Sequence, residues 1–318
     1  MSAGSTAGRG RPKAALVLCA SLVCAVLLGV GGCAGSGRDQ RPTVVVTTNI
    51  LGDLTRAVVG DEAEVAVLMR AGADPHSFGV SAPQAASIEQ ADLVVYNGLG
   101  LEENVLRHVE AAEEAGVPTV AVGEAVDPLA YASGETADTP DPHFWTDPVR
   151  VREAVGVIAA RVTEHVRGVD RSAVEDNASA YRAEITELTA WMHRRFATIP
   201  PAQRQLVTNH HVFGYLAQRF GFRVVGAVVP SGTTLASPSA SDLTSLATAI
   251  EKAGVKAIFA DSSQPDRLAQ VLKRESGVEV AVVPLFSESL TEEGRGAATY
   301  LEMMRANTLS ISTGLTAG

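Results

Sequence analysis

Cysteine is almost missing from this sequence of 318 residues. Its three cysteines, Cys19, Cys24 and Cys33, lie close to the amino terminus, so residues 34–318 contain no thiol. That long segment therefore forms no disulfide and offers no thiolate to a metal. Zinc-finger folds and cysteine-dependent catalysis are excluded for the same reason.

An excess of positive charge is also missing. The chain has 26 Lys and Arg residues against 36 Asp and Glu residues, and its formal net charge is −10. Proteins that bind nucleic acids usually have the opposite balance, so that class is excluded. The sequence also lacks a glycine-rich nucleotide-binding loop, which argues against an ATPase. With 46% hydrophobic and 19% charged residues, the chain has a globular composition, and its length suits about two domains.

The amino terminus has the pattern of an export signal. Basic residues at positions 9, 11 and 13 precede an uncharged and mostly apolar run over residues 14–30. This order predicts a secretory signal peptide over residues 1–32. The alternative is an uncleaved anchor helix, although the apolar run only just reaches the minimum of about 17 residues for a membrane span. Both alternatives place the rest of the chain outside the cytoplasm.

Cys33 is predicted to carry a membrane anchor. The small residues directly before it resemble a bacterial lipobox, in which Cys33 becomes the lipid-modified first residue of the mature chain. Residues 33–42 are mostly small and polar, which suits a flexible tether to a folded domain. We therefore expect an extracytoplasmic lipoprotein of the cell membrane.

Short apolar segments rich in Val, Ile and Leu recur after residue 42, and most are separated by segments of helical length. This alternation predicts an α/β fold with mainly parallel sheets. Four predicted strands precede residue 125 and four follow residue 200, so we expect two α/β lobes with four-stranded sheets, over residues 43–171 and 200–318. The predicted strands are Thr43–Thr47, Val65–Met69, Leu93–Tyr96, Thr119–Val122, Leu206–Thr208, Val224–Val229, Ala257–Ala260 and Val280–Leu285.

One long linker helix over residues 172–199 is predicted to join the two lobes. It opens with a capping-box pattern at Ser172–Glu175 and stops at Pro200 and Pro201. Because a continuous helix resists bending, the lobes should move little against each other. Apolar residues recur along the helix at steps of three or four, which predicts one buried stripe. The stripe consists of Val174, Ala178, Tyr181, Ile185, Leu188, Met192, Phe196 and Ile199.

Several histidines lie beside predicted strand ends or turns, where open α/β sheets bind their ligands. They are His76, His143, His210 and His211. Neutral imidazole is a common zinc ligand, and such a site also needs negative charge. Asp261 and Glu288 both follow predicted strands, and spacing does not choose between them. The other histidines, His108, His165 and His193, lie among charged residues of predicted helices, where we expect solvated surface.

The candidate residues stand in longer motifs. These are LMRAGADPHSF around His76, DPHFWTDP around His143, HHVFGY from His210 and SESL around Glu288. Together with the segment ADLVVYNGLGLE at residues 91–102, they resemble the zinc- and manganese-binding receptors of bacterial ABC importers. This family is also called cluster A-I or cluster 9 of the substrate-binding proteins. The resemblance covers nearly all of residues 43–315.

The resemblance implies two α/β lobes joined by one long helix, in agreement with the periodicity. It also implies that His76 and His143 of the first lobe, with His210 and Glu288 of the second, bind one divalent ion in the cleft between the lobes. His211 then falls at the family's acidic position, where it either supports the site from behind or serves in packing.

Two departures from the family pattern are visible. Glu288 stands where much of the family has Asp, and its side chain is one methylene longer. Many zinc members carry a histidine-rich insertion before the second ligand, whereas residues 131–141 contain no histidine. We expect that loop to be a solvated turn without a role in binding.

The ligand set implied by the resemblance favours zinc. Three imidazoles and one carboxylate suit four-coordinate Zn²⁺, and Mn²⁺ is the alternative, since manganese members often have a carboxylate at the position of His210. The resemblance further implies a monomer that delivers its ion to a membrane permease and is not an enzyme. Two other classes stay open, an exported zinc-dependent hydrolase with Glu288 as general base, and a surface adhesin.

Overall fold

The computed structural model describes residues 41–131 and 137–316, together with Met1 and Gly4. The predicted signal peptide, the predicted anchor at Cys33 and most of the predicted tether lie outside the described residues. Within the described part of the chain, no helix has both the length and the apolar character that a membrane crossing requires.

The first half of the chain alternates strands and helices. Its elements are β1 (Thr43–Val46), α1 (Asn49–Val59), β2 (Glu64–Val67), α2 (Ala82–Glu89), β3 (Leu93–Tyr96), α3 (Glu103–Glu114), β4 (Thr119–Ala121) and α4 (Pro148–His165). The four strands form one parallel sheet in the order β2-β1-β3-β4. Strands β1 and β3 consist largely of buried valines, as expected for a parallel sheet that is covered on both faces.

Helix α5 (Arg171–Phe196) connects the two halves. It begins with Asp170 as its N-cap, because the Asp170 carboxylate accepts a hydrogen bond from the backbone N–H of Ser172. The capping box expected at Ser172–Glu175 is therefore wrong, since Ser172 already lies inside the helix. All eight side chains of the apolar stripe are buried as predicted, but the helix ends at Phe196, so Ile199 lies beyond it.

The second half repeats the alternation. Its elements are β5 (Gln205–Thr208), α6 (Gly214–Phe220), β6 (Arg223–Ala227), α7 (Ala240–Ala253), β7 (Ala257–Asp261), α8 (Arg267–Glu275), β8 (Ala281–Leu285) and α9 (Tyr300–Thr316). These strands form a second parallel sheet in the order β6-β5-β7-β8. The carboxyl-terminal helix α9 packs against β8 and against α5.

One cluster of buried apolar side chains runs through both lobes. It includes Val44 of β1, Ile185 and Leu188 of α5, and Leu206 of β5. The linker helix is thus part of a shared core and does not merely span a gap. The predicted fold class, two α/β lobes with parallel four-stranded sheets joined by one long helix, is confirmed.

Candidate metal centre

The four residues that the motifs singled out all follow carboxyl ends of strands. His76 lies in the loop after β2, and His143 ends the long connection after β4. His210 comes directly after β5, and Glu288 follows β8. Each lobe therefore contributes two side chains from loops at the same edge of its sheet, where parallel α/β sheets place their ligands.

These four side chains meet at one point. One potential ligand atom from each of them lies within 4.8 Å of the others. The Nε2 atom of His143 is 3.3 Å from Nε2 of His76 and 3.4 Å from Nε2 of His210. All four residues are buried, with at most 3% of their surface exposed. The structure thus brings together the complete set of candidates that the motifs indicated.

The carboxylate of Glu288 faces only imidazoles. Its Oε1 lies 3.1 Å from Nε2 of His210 and 3.7 Å from Nε2 of His143, and its Oε2 lies 3.8 Å from Nε2 of His76. Among the described residues, no hydrogen bond of normal geometry reaches either oxygen. Burial of a carboxylate without a donor or a cation is strongly unfavourable. The donor set therefore fits a divalent cation bound among the four side chains.

Burial also shapes the protonation of the four groups. Burial, with the neighbouring charges of His143 and His210, lowers the pKa of His76 to about 2. Burial likewise holds the pKa of His143 well below its ordinary value. Both imidazoles are consequently neutral near pH 7, and a neutral imidazole has the free lone pair that a metal requires.

His210 and Glu288 behave as a coupled pair. Burial alone would lower the pKa of His210, but the charge of Glu288, helped by Asp261 and Asp74, raises it above its ordinary value. Burial raises the pKa of Glu288 to about 7, although His210 partly offsets this effect. Near neutral pH the pair therefore holds a proton that a metal ion would displace.

His143 is held from behind by Asp141, the last residue of the loop 131–141. The expectation that this whole loop is a solvated turn is therefore wrong, because Asp141 is buried. The Asp141 Oδ1 atom lies 2.7 Å from Nδ1 of His143 and accepts a hydrogen bond of 3.0 Å from the backbone N–H of His143. With its proton on Nδ1, His143 directs the Nε2 lone pair at the centre. Burial raises the pKa of Asp141 to about 7.

His76 stands in the same Asp-Pro-His sequence as His143, but its aspartate has different partners. The Asp74 Oδ1 atom accepts a hydrogen bond of 2.9 Å from the backbone N–H of His76. Its Oδ2 atom accepts hydrogen bonds from Thr234 at 2.6 Å and Gln264 at 2.9 Å, both in the second lobe. The repeat of Asp-Pro-His in the sequence is a signal that could have identified both aspartates.

The remaining candidates lie outside this group. Of the two acids left open by spacing, Asp261 accepts hydrogen bonds from Ser263 and Ser287 and does not join the four. The imidazole of His211 packs against Tyr131, with ring centroids 6.5 Å apart. The histidines expected on solvated surface, His108, His165 and His193, are likewise not part of the group. His193 packs against Phe220, at 4.7 Å between ring centroids.

Comparisons with known proteins find relatives along most of the chain. Residues 44–314 match the model of the family described as zinc-uptake complex component A, periplasmic. The manganese-binding lipoprotein MntA of Halalkalibacterium halodurans is 29% identical over 305 residues, which cover 94% of this chain and 98% of that protein. The zinc-binding protein TroA of Treponema pallidum is 28% identical over 298 residues, which cover 90% of this chain and 95% of that protein.

Solved structures show the same similarity. The structure of the periplasmic zinc-binding protein TroA from Treponema pallidum superposes with a TM-score of 0.79 and covers 86% of this chain and 99% of that one, at 28% identity. A manganese-bound periplasmic metal-binding protein from Candidatus Liberibacter asiaticus gives a TM-score of 0.76 over 86% of this chain and 99% of that one, at 26% identity.

Proposed function

This chain belongs to the family of the periplasmic component A of zinc-uptake complexes, and we propose that it is an extracytoplasmic receptor for one divalent metal ion, which it delivers to the permease of an ABC importer. The observation that supports this most directly is the buried cluster of three imidazoles around a carboxylate whose oxygens lie 3.1 to 3.8 Å from the imidazole nitrogens. Such a cluster is suited to holding a cation out of water.

The proposed ligands are His76, His143, His210 and Glu288. Their Nε2 and carboxylate atoms come from both lobes, so one ion bound by all four would join the lobes. We propose the lobe boundaries expected from the sequence, 43–171 and 200–318, with the linker at 172–199. The described helix α5 lies over Arg171–Phe196 and supports this division.

Zinc is the proposed cargo, with manganese as the alternative. Three nitrogen donors and one carboxylate suit four-coordinate zinc, and zinc binds nitrogen donors more strongly than manganese does. The relatives include a zinc-binding and a manganese-binding protein, so the names of relatives favour neither metal. The choice of zinc therefore rests on the donor atoms.

We further propose that the mature receptor is a monomer anchored to the outer face of the cell membrane through a lipid on Cys33. Support comes from the signal-peptide pattern before Cys33 and from relatives that are named lipoproteins. We expect no catalysis, because the relatives are named as metal-binding and transport proteins.

Titration calorimetry of the metal-stripped protein with zinc and manganese tests the proposal. We expect tight one-to-one binding of zinc and weaker binding of manganese. The His143→Ala and Glu288→Ala variants should both lose most of the zinc affinity, and His165→Ala, at the end of α4, is the matched control outside the cluster. Tight manganese binding with weak zinc binding would overturn the choice of metal, and binding of neither metal would overturn the receptor proposal.

A further inference from the structure

Trp145 links the loop that carries His143 to the loop that carries Glu288. Its indole Nε1–H donates a hydrogen bond of 2.8 Å to the carbonyl oxygen of Ser287, the residue directly before Glu288. Its ring also contacts the His143 imidazole, at 5.2 Å between ring centroids. Trp145 is buried, with 3% of its surface exposed. The side chain of Trp145, in the first lobe, therefore contacts His143 of the same lobe. It also contacts the backbone next to Glu288, which belongs to the second lobe.

The chain on the other side of Glu288 is also held by the first lobe. The Asn49 side chain donates a hydrogen bond of 2.7 Å to Oγ of Ser289 and accepts one of 2.9 Å from the backbone N–H of Leu290. Although Glu288 follows a strand of the second sheet, first-lobe side chains hold the residues on both sides of it.

Trp145 is itself held in place by the carboxyl-terminal helix. The Tyr300 hydroxyl donates a hydrogen bond of 3.0 Å to the Trp145 carbonyl oxygen. The Tyr300 backbone N–H donates one of 2.8 Å to the Asp53 carboxylate of α1. Tyr300 is fully buried, so these bonds are shielded from water.

We propose that Trp145 is a positioning residue that sets where Glu288 stands relative to His143, and that it thereby favours zinc over manganese. This inference rests on the proposed function. The Glu288 carboxylate oxygens lie 3.1 to 3.8 Å from the three imidazoles, and among the described residues no side chain outside this cluster donates a hydrogen bond to them. Its position is therefore set through its backbone, and Trp145 holds that backbone.

The physical basis of the selectivity is coordination number. Zinc is satisfied by four ligands at short distances, whereas manganese suits sites that are richer in oxygen. A Glu288 loop released from Trp145 no longer holds the carboxylate at a fixed distance from His143, so the short distances that zinc requires are lost. That change would weaken the fit to zinc more than the fit to manganese.

The test is Trp145→Phe in the full-length protein, purified in detergent and stripped of metal. Phe keeps a ring against His143 but removes the N–H donor. We expect the zinc dissociation constant to rise about tenfold, within the range measured when partners of metal ligands are lost, and the manganese constant to change less. Cobalt bound in place of zinc should lose the intense visible absorption of a four-coordinate site.

Two controls separate positioning from folding. Trp191→Phe, at the only other tryptophan, alters a side chain on α5 that stacks under Arg305, and it should leave both constants and the cobalt spectrum unchanged. Replacement of Trp145 by benzothienylalanine keeps the bicyclic shape and removes only the N–H donor, so it gives the same readout if the Phe variant folds poorly.

A double-mutant cycle adds an independent readout. Tyr300→Phe removes the hydroxyl that supports Trp145 and should shift the zinc-to-manganese ratio in the same direction, without adding to the effect of Trp145→Phe. Wild-type protein that binds neither metal refutes the proposed function. Wild-type protein that binds zinc tightly, with Trp145 variants that keep its metal ratio and cobalt spectrum, refutes the role of Trp145 alone.

Discussion

At the scale of single residues, the two Asp-Pro-His turns show how one short sequence serves two tasks. In each turn the aspartate side chain accepts a hydrogen bond from the backbone N–H of the histidine. Asp141 also reaches the ring of His143, whereas Asp74 uses its second oxygen for Thr234 and Gln264 of the other lobe. The carboxylate of Asp141 thus fixes the ring orientation of His143 from within the same turn.

Loss of the Asp141 charge should weaken metal binding. Asp141→Asn keeps the size of the side chain but gives His143 a weaker acceptor, so we expect the zinc dissociation constant to rise about tenfold. Competition with a chromogenic chelator measures the change. Asp138→Asn, at an exposed aspartate of the same loop, is the matched control. Equal affinities of the two variants would contradict the role assigned to Asp141.

Zinc affinity should fall as the pH drops below about 7. The raised pKa values of His210 and Glu288, the latter about 7, mean that this pair holds a proton below neutral pH. His76 and His143 have lowered pKa values and hold none in that range. Binding therefore displaces the protons that this pair holds, up to two when the pH lies below both pKa values. The zinc dissociation constant should accordingly rise about tenfold to a hundredfold per pH unit as the pH falls through this range.

Competition titrations from about pH 5 to pH 8, corrected for the protonation of the chelator, measure this dependence. The release of three protons near the ordinary histidine pKa would show instead that the imidazoles titrate independently. The number of protons released therefore shows whether His210 and Glu288 titrate as a coupled pair or the three histidines titrate independently.

At the scale of elements, the linker helix carries the clearest relation between sequence and structure. Its apolar stripe faces a core that both lobes share, and Asp53 of α1 accepts a hydrogen bond of 3.3 Å from the Tyr181 hydroxyl on α5. Core packing and this hydrogen bond therefore hold the helix against both lobes. A defect in the stripe should destabilise the whole molecule without altering the metal ligands.

Leu188→Ala tests the stripe. Leu188 is fully buried on α5, so the truncation leaves a cavity, and we expect the free energy of unfolding to fall by about 2–5 kcal/mol. Urea unfolding followed by circular dichroism measures it, and zinc affinity should stay near the wild-type value. Glu187→Ala, at the exposed neighbouring position, should change stability by no more than about 0.5 kcal/mol. A similar loss in both variants would argue against a shared core along α5.

At the scale of the whole molecule, the proposed ion lies where the two lobes meet. Other contacts between the lobes surround it, such as the ion pair of Asp147 with Arg219, which has hydrogen bonds of 2.8 to 3.0 Å. An ion bound by side chains of both lobes stabilises the folded state as a unit, because the unfolded chain does not hold the four ligands together.

Zinc should consequently raise the unfolding temperature in one cooperative transition. At free zinc about a thousand times the dissociation constant, the added stability is about 4 kcal/mol. Differential scanning calorimetry with and without a chelator measures the shift, and His143→Ala should show almost none. Two separate transitions, only one of them sensitive to zinc, would contradict a shared core that the ion stabilises.

Local patterns in the sequence were enough for the fold and for the candidate histidines. Alternation of short apolar segments with helical segments predicted both parallel sheets, and the spacing of apolar residues predicted the buried stripe of α5. The start of that helix was misassigned because Asp170 and Ser172 are both good caps, and only their hydrogen bonds distinguish them. The choice between Asp261 and Glu288 was open to spacing alone and depended on the family resemblance.

What the sequence by itself determined is therefore the set of elements and the histidines near their ends, because both follow from periodicity and turn residues within short segments. Only the tertiary structure decided that Asp261 supports Ser287, that Asp141 holds the ring of His143, and that Trp145 reaches across to the residue before Glu288. These contacts involve the exact approach of loops from different strands, and in the case of Trp145 from different lobes. Such an approach depends on how whole sheets pack, and no local pattern records it.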